Sequence, residues 1–113
     1  MPEANKGMRC AFQNLKLSMH EAYVVGQIAI KNPAKWEEYR SRVPQTLEPW
    51  GAELVFRGTQ AAVLAGEPTH PDIVVIRFPT MAAADGWFSS AAYQALIPIR
   101  QEAADVTLLS YAT

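Results

Sequence analysis

The chain has 113 residues, of which 50% are hydrophobic and 19% charged, a balance that suits one globular domain and excludes a disordered, highly charged segment. Ten Lys and Arg stand against eleven Asp and Glu, so the formal net charge of −1 leaves no basic excess to neutralise the phosphates of a nucleic acid. Cys10 is the only cysteine, which excludes an internal disulfide, a Cys-rich zinc site and a CxxC pair; with no long apolar run and no leader pattern, the expected setting is cytoplasmic and away from membranes.

Residues 1–20 show no period and are expected to form a poorly ordered tail ahead of one domain at 21–113. Met19, just before the patterned region, is a candidate start of the natural chain. From Ala22 to Ile30 the residues Val24, Gly26, Ile28 and Ile30 share one face and Tyr23, Val25, Gln27 and Ala29 the other, as a strand requires. Asn32-Pro33 then supplies an N-cap and a first-turn proline. Trp36, Tyr39, Val43 and Leu47 make an apolar helical stripe, and Pro44 predicts a kink or restart within it. Gly51 ends the helix, and a second strand is expected from Glu53, with Leu54 and Phe56 on one side and Val55 on the other. Gly58 suggests a bulge before the strand resumes over 61–65. The turn-rich GEPTHP at 66–71 precedes IVVIRF at 73–78, apolar on both phases and so a central strand. Thr80 caps a second helix carrying Ala83, Ala84, Trp87 and Phe88; Ser89-Ser90 breaks it, a short helix with Tyr93, Leu96, Ile97 and Arg100 follows, and a last strand runs over about 105–111.

The order is β-α-β-β-α-β, an α+β fold of ferredoxin-like sandwich type. Two helices cover only one face of a four-stranded sheet. Val74, Ile76 and Phe78 cannot share a face with Ile73 and Val75, so the helix-free face is also apolar, and a second copy of the chain is its expected cover.

A set of residues then carries a likeness: Tyr39-Arg40, Pro44, Gly51, Arg57-Gly58, VLAG at 63–66, Pro71, Phe78-Pro79, Trp87, the SxxYQ of 90–94 and Arg100. Over residues 22–110 the chain resembles the domain-of-unknown-function 1330 family, within the dimeric α/β-barrel group. Ala52, Arg77, Phe88 and Ala92 depart from the family's usual Gly, Glu, Tyr and Glu, and Arg77 alters the charge pattern expected beside a pocket. The resemblance implies a dimeric α/β barrel. The wider group includes cofactor-free monooxygenases, haem-degrading enzymes, isomerases and members without known activity, and fold alone does not choose among them.

Arg57 and Arg100 lie beside apolar patterns and at family-like positions, where a guanidinium could clamp a carboxylate; the alternative for each is a structural ion pair. Tyr39 and Tyr93 could donate to a substrate oxygen, or could pack in the core. Trp87 is a candidate pocket wall. His70, in the turn-rich loop, is the candidate proton carrier together with Tyr39, although neither histidine has metal-site spacing. The leading expectation is therefore a small organic acid or oxygenated aromatic bound between helices and sheet without metal or cofactor, with isomerase or monooxygenase chemistry. The competing expectation is a non-catalytic homodimeric binding or assembly module, and a haem-dependent role lacks a supporting ligand pattern.

Overall fold

A computed structural model describes residues 21–113; the expected tail, with Cys10, Met19 and His20, lies outside the described residues. Strand β1 (Ala22–Ile30) leads through the Asn32 cap, whose side chain accepts from the Lys35 N–H at 3.1 Å, into α1 (Pro33–Leu47). Helix α1 runs unbroken through Pro44 instead of restarting there. Pro44 is exposed, so water can take the carbonyl that its ring leaves unpaired, and the packed stripe around it holds the helix together. A 3₁₀ turn (Glu48–Trp50) ends at Gly51, whose φ of 68° is the left-handed conformation that terminates such turns.

Strands β2 (Glu53–Thr59) and β3 (Asp72–Phe78) form a hairpin whose base is closed by a Gln60 N–H to Pro71 carbonyl bond of 2.6 Å. Two local expectations are corrected here. The bulge lies at Val55 and not at Gly58, because the pairing steps from Leu54↔Ile76 directly to Phe56↔Val75. Residues 61–65 are not strand: they stand exposed, with Leu64 97% accessible, and no neighbouring strand offers them a ladder.

Helix α2 (Met81–Ser89) is capped by Thr80, which accepts from the Ala83 N–H at 3.0 Å. The second helical stretch is two pieces, α3 (Ala91–Gln94), capped by Ser90, and α4 (Ile97–Ala103), with Pro98 seated harmlessly in its first turn. Strand β4 (Ala104–Ala112) closes the fold. The sheet order is β2-β3-β1-β4, antiparallel throughout, which is the α+β, ferredoxin-like arrangement the element order predicts.

Registers divide the side chains between two faces. Ala22, Val24 and Ile28 of β1 and Ile76 and Phe78 of β3 are buried beneath the helices, where Trp87, Tyr93 and Phe78 are the largest fully buried side chains. Burying each of Val24, Ile28, Ile76 and Phe78 contributes about 1.5–3 kcal/mol. The opposite face carries a cross-sheet row, Phe56↔Val75↔Val25↔Leu109, of which Phe56 is 49% and Leu109 37% exposed. Beside it Arg77 pairs with Glu21 and Glu53, so this departure from the family pattern lies on the helix-free face, away from the cavity described next. Among the described residues no helix is long and apolar enough to cross a membrane.

Candidate functional site

Between α1 and the sheet lies a cavity of about 590 Å³, a size suited to a small organic molecule. Gly26, at the middle of β1, lines it. A Cβ at that position would come within 2.8 Å of a Val74 methyl and 3.3 Å of a Leu108 methyl, so only glycine leaves the sheet open there. Apolar walls come from Ile28, Trp36, Val43, Leu54, Val74, Trp87 and Leu108, and polar groups from Tyr39, Arg40, Gln45, Glu48 and Arg57.

Arg57 reaches this cavity because of the bulge at Val55. In unbroken alternation Leu54 and Phe56 would share a face and Arg57 would point away from Leu54. The extra residue instead sends Phe56 to the helix-free face with Val75 and returns Arg57, opposite Val74, to the helix side. Among the described residues Arg57 makes no ion pair or side-chain hydrogen bond, whereas its neighbour Arg40 is held by Glu37 at 2.9 Å. Desolvation, and then the nearby Arg40 charge, pull the Arg57 guanidinium below its ordinary value against the smaller opposing pull of Glu37 and Tyr39; the side chain is exposed, and it remains a cation.

Tyr39, from the inner stripe of α1, is 7% exposed, and its hydroxyl lies 2.8 Å from that of Tyr93, which is fully buried at the start of α3. Arg100, on α4, donates from Nη1 to the Tyr93 hydroxyl at 2.9 Å and forms no ion pair among the described residues. Burial, followed by the proximity of Tyr93, pushes the Tyr39 phenol well above its ordinary value, against the smaller opposing pull of Arg100 and Arg57. Tyr39 is thus a neutral donor throughout the physiological range. Trp87 is fixed by donation from Nε1 to the Thr46 hydroxyl at 2.9 Å and by tilted packing against Tyr93, with ring centroids 4.3 Å apart.

The structure therefore brings together five of the residues singled out from sequence: Tyr39, Arg57 and Trp87 line the main cavity, and Tyr93 and Arg100 stand behind Tyr39. Arg100 lines a second cavity of about 490 Å³ that shares Trp87, Val106 and Leu108 with the first. His70 is not brought to either. Its Nδ1 lies 3.0 Å from the Thr69 hydroxyl and its Nε2 3.5 Å from a carboxylate oxygen of Asp105. Sequence reasoning missed Gly26, Gln45 and Glu48; a glycine within a strand was the one available signal. Among the described residues no three His, Cys, Asp or Glu side chains converge as a metal site would require.

A model of the family described as "Domain of unknown function (DUF1330)" matches residues 21–111. No curated protein matches the chain. Among solved structures, a protein of unknown function from Rhodopseudomonas palustris is similar at a TM-score of 0.71 and 14% identity, over 98% of this chain and 93% of its own. A dimeric ferredoxin-like protein of unknown function from Jannaschia sp. is similar at a TM-score of 0.66 and 11% identity, over 80% of this chain and 97% of its own. SnoaB, a cofactor-independent oxygenase from Streptomyces nogalater, is similar at a TM-score of 0.59 and 11% identity, over 83% of this chain and 93% of its own. At these identities the likeness establishes a shared fold.

Proposed function

The chain belongs to the DUF1330 family, and from that premise we propose that it binds a small organic anion in the cavity beneath α1, as a homodimer closed over the helix-free sheet face. The observation that carries the binding reading is Arg57: a cation lining an apolar cavity, without a carboxylate partner among the described residues, beside the neutral phenol of Tyr39. Arg57 is exposed in the protomer, so its guanidinium is open to an incoming anion. Arg57 supplies the charge and Tyr39 a hydrogen bond; the half-buried Trp36 offers the aromatic face, since Trp87 is only 2% exposed. The pairing also fits a reaction of isomerase or cofactor-independent oxygenase type, in which Tyr39, held neutral, donates a hydrogen bond to an oxygen on which negative charge develops. SnoaB, described as a cofactor-independent oxygenase, shows that this fold can house such chemistry.

The dimer reading is supported by the cross-sheet row of Phe56, Val75, Val25 and Leu109 and by fold relatives described as dimeric. Pairing through that face would join two sheets into a dimeric α/β barrel.

The test is a thermal-shift screen of organic acids and phenolics, because a ligand that binds only the native state raises the melting temperature. An acid that stabilises the wild-type protein should bind Arg57→Met more weakly by about 1.5–3 kcal/mol, with ligand-free stability nearly unchanged. Loss of ligand-free stability in Arg57→Met, with no acid stabilising the wild type, would leave only a structural domain.

A further inference from the structure

The hydrogen bonds behind Tyr39 can be read for direction as well as distance. A guanidinium has no acceptor, so Arg100 must donate to the Tyr93 oxygen. Tyr93 then has its own hydroxyl proton to place. It is fully buried, and among the described residues its only other side-chain partner is the Tyr39 oxygen at 2.8 Å. If Tyr39 donated to Tyr93, the Tyr93 proton would be stranded in the core without an acceptor, the arrangement that folded proteins avoid. If Tyr93 donates to Tyr39, the Tyr93 proton is used, and the Tyr39 proton is left over for an acceptor in the cavity that Tyr39 lines. Arg57 lines the same cavity and is near enough to act electrostatically on that phenol.

Building on the anion site proposed above, we infer that Tyr39 presents its hydroxyl proton to the cavity, held in that direction by Tyr93 and Arg100, so that the site selects carboxylates bearing a second acceptor oxygen, as in a 2-oxo acid. Arg57 takes the carboxylate and Tyr39 the neighbouring oxygen. Arg100 is then a positioning residue that acts through Tyr93.

Calorimetric titration with benzoylformate and with phenylacetate, which has a methylene in place of the ketone, tests this. The wild-type protein should prefer benzoylformate by roughly ten- to hundredfold, the range for one well-made hydrogen bond beside a charge. Tyr39→Phe should abolish the preference, while Arg57→Met weakens both acids. Arg100→Met should lose part of the preference, and Arg100→Lys, which keeps a cationic donor, should retain it. Equal binding of the two acids by the wild type, or a preference that survives in Tyr39→Phe, overturns the donor assignment and leaves the anion site standing. Failure of the wild type to bind either acid at millimolar concentration removes the anion site, and this inference with it. Proton NMR of the ligand-free wild-type protein needs no variant: a slowly exchanging hydroxyl proton with contacts to the Tyr93 ring is expected, and one on Tyr39 but not on Tyr93 overturns the assignment.

Discussion

Val25→Lys separates the two faces of the sheet. Val25 stands mid-row between Val75 and Leu109 on the helix-free face, and it is half-buried in the protomer. In a lone protomer the lysine stem can lie along its apolar neighbours with the ammonium in water, so the fold should change by about 0.5 kcal/mol or less. In a two-fold dimer closed over this row each copy brings one ammonium, and two unpaired charges enter one apolar interface. Even after relaxation each costs several kcal/mol, so about 5 kcal/mol in total is a low figure. At about 1.4 kcal/mol per decade this weakens association by more than three orders of magnitude. Light scattering at micromolar concentration should therefore find a dimer for the wild type and a monomer for Val25→Lys, with the same circular dichroism. Ala82→Lys, an exposed helical position, is the control and should stay dimeric. A Val25→Lys dimer of undiminished affinity, or a monomeric wild type, would refute the reasoning.

The other face should respond differently. Ile76→Asp places a carboxylate at a 6% exposed position between Val24 and Leu54 and should prevent soluble folding, since taking a charge out of water there costs several kcal/mol; a soluble, folded variant would show that the core lies elsewhere. Tyr39 sets an alkaline limit. Its folded-state pKa is raised, so its contribution is complete below the unfolded value of about 10 and is lost as pH climbs above that toward the folded value. Between pH 10 and 11.5 the wild type should lose up to about 1.4 kcal/mol per pH unit more than Tyr39→Phe, measured by denaturant titration, and parallel pH profiles would contradict this.

Much of the fold is legible in the sequence because its signals are local. The alternation of β1, the Asn32-Pro33 and Thr80 caps, Gly51 and the Ser90 break each act over a few residues, and each forms where the pattern puts it. Misreadings occur where pairing decides. Residues 61–65 have strand-like composition but no partner strand, so they remain exposed loop. Nothing in ELVFRGT says which residue of β2 is skipped, since that is fixed by registry with β3. The candidate site is divided in the same way. The tyrosines and arginines stand out one by one as residue types, whereas their convergence joins α1, β2, α3 and α4 across 54 positions of chain in the case of Tyr39 and Tyr93. His70, the residue most suggestive by type, is held in its loop near Asp105.

The skipped residue has a consequence that runs against the usual rule for strands. Removing one residue from a regular strand sends every side chain on one side of the deletion to the opposite face, and in a half-buried sheet that is ruinous. In β2 the partners are Leu54↔Ile76, Phe56↔Val75 and Arg57↔Val74, so Val55 is the one residue between them without a place in the ladder. It is also 49% exposed, so little apolar burial is lost with it. Deleting Val55 should leave Leu54 and Arg57 on the helix side and Phe56 on the other, with both the cavity cation and the dimer row intact. The cost should be no more than about 1–2 kcal/mol, as for an ordinary destabilising change, and any acid that stabilises the wild-type protein should still do so. Deleting Phe56 instead removes a laddered residue and the row's end member and should abolish dimerisation. If the Val55 deletion is insoluble while the Phe56 deletion folds and dimerises, the strand is paired in another register, and Arg57 does not face the cavity.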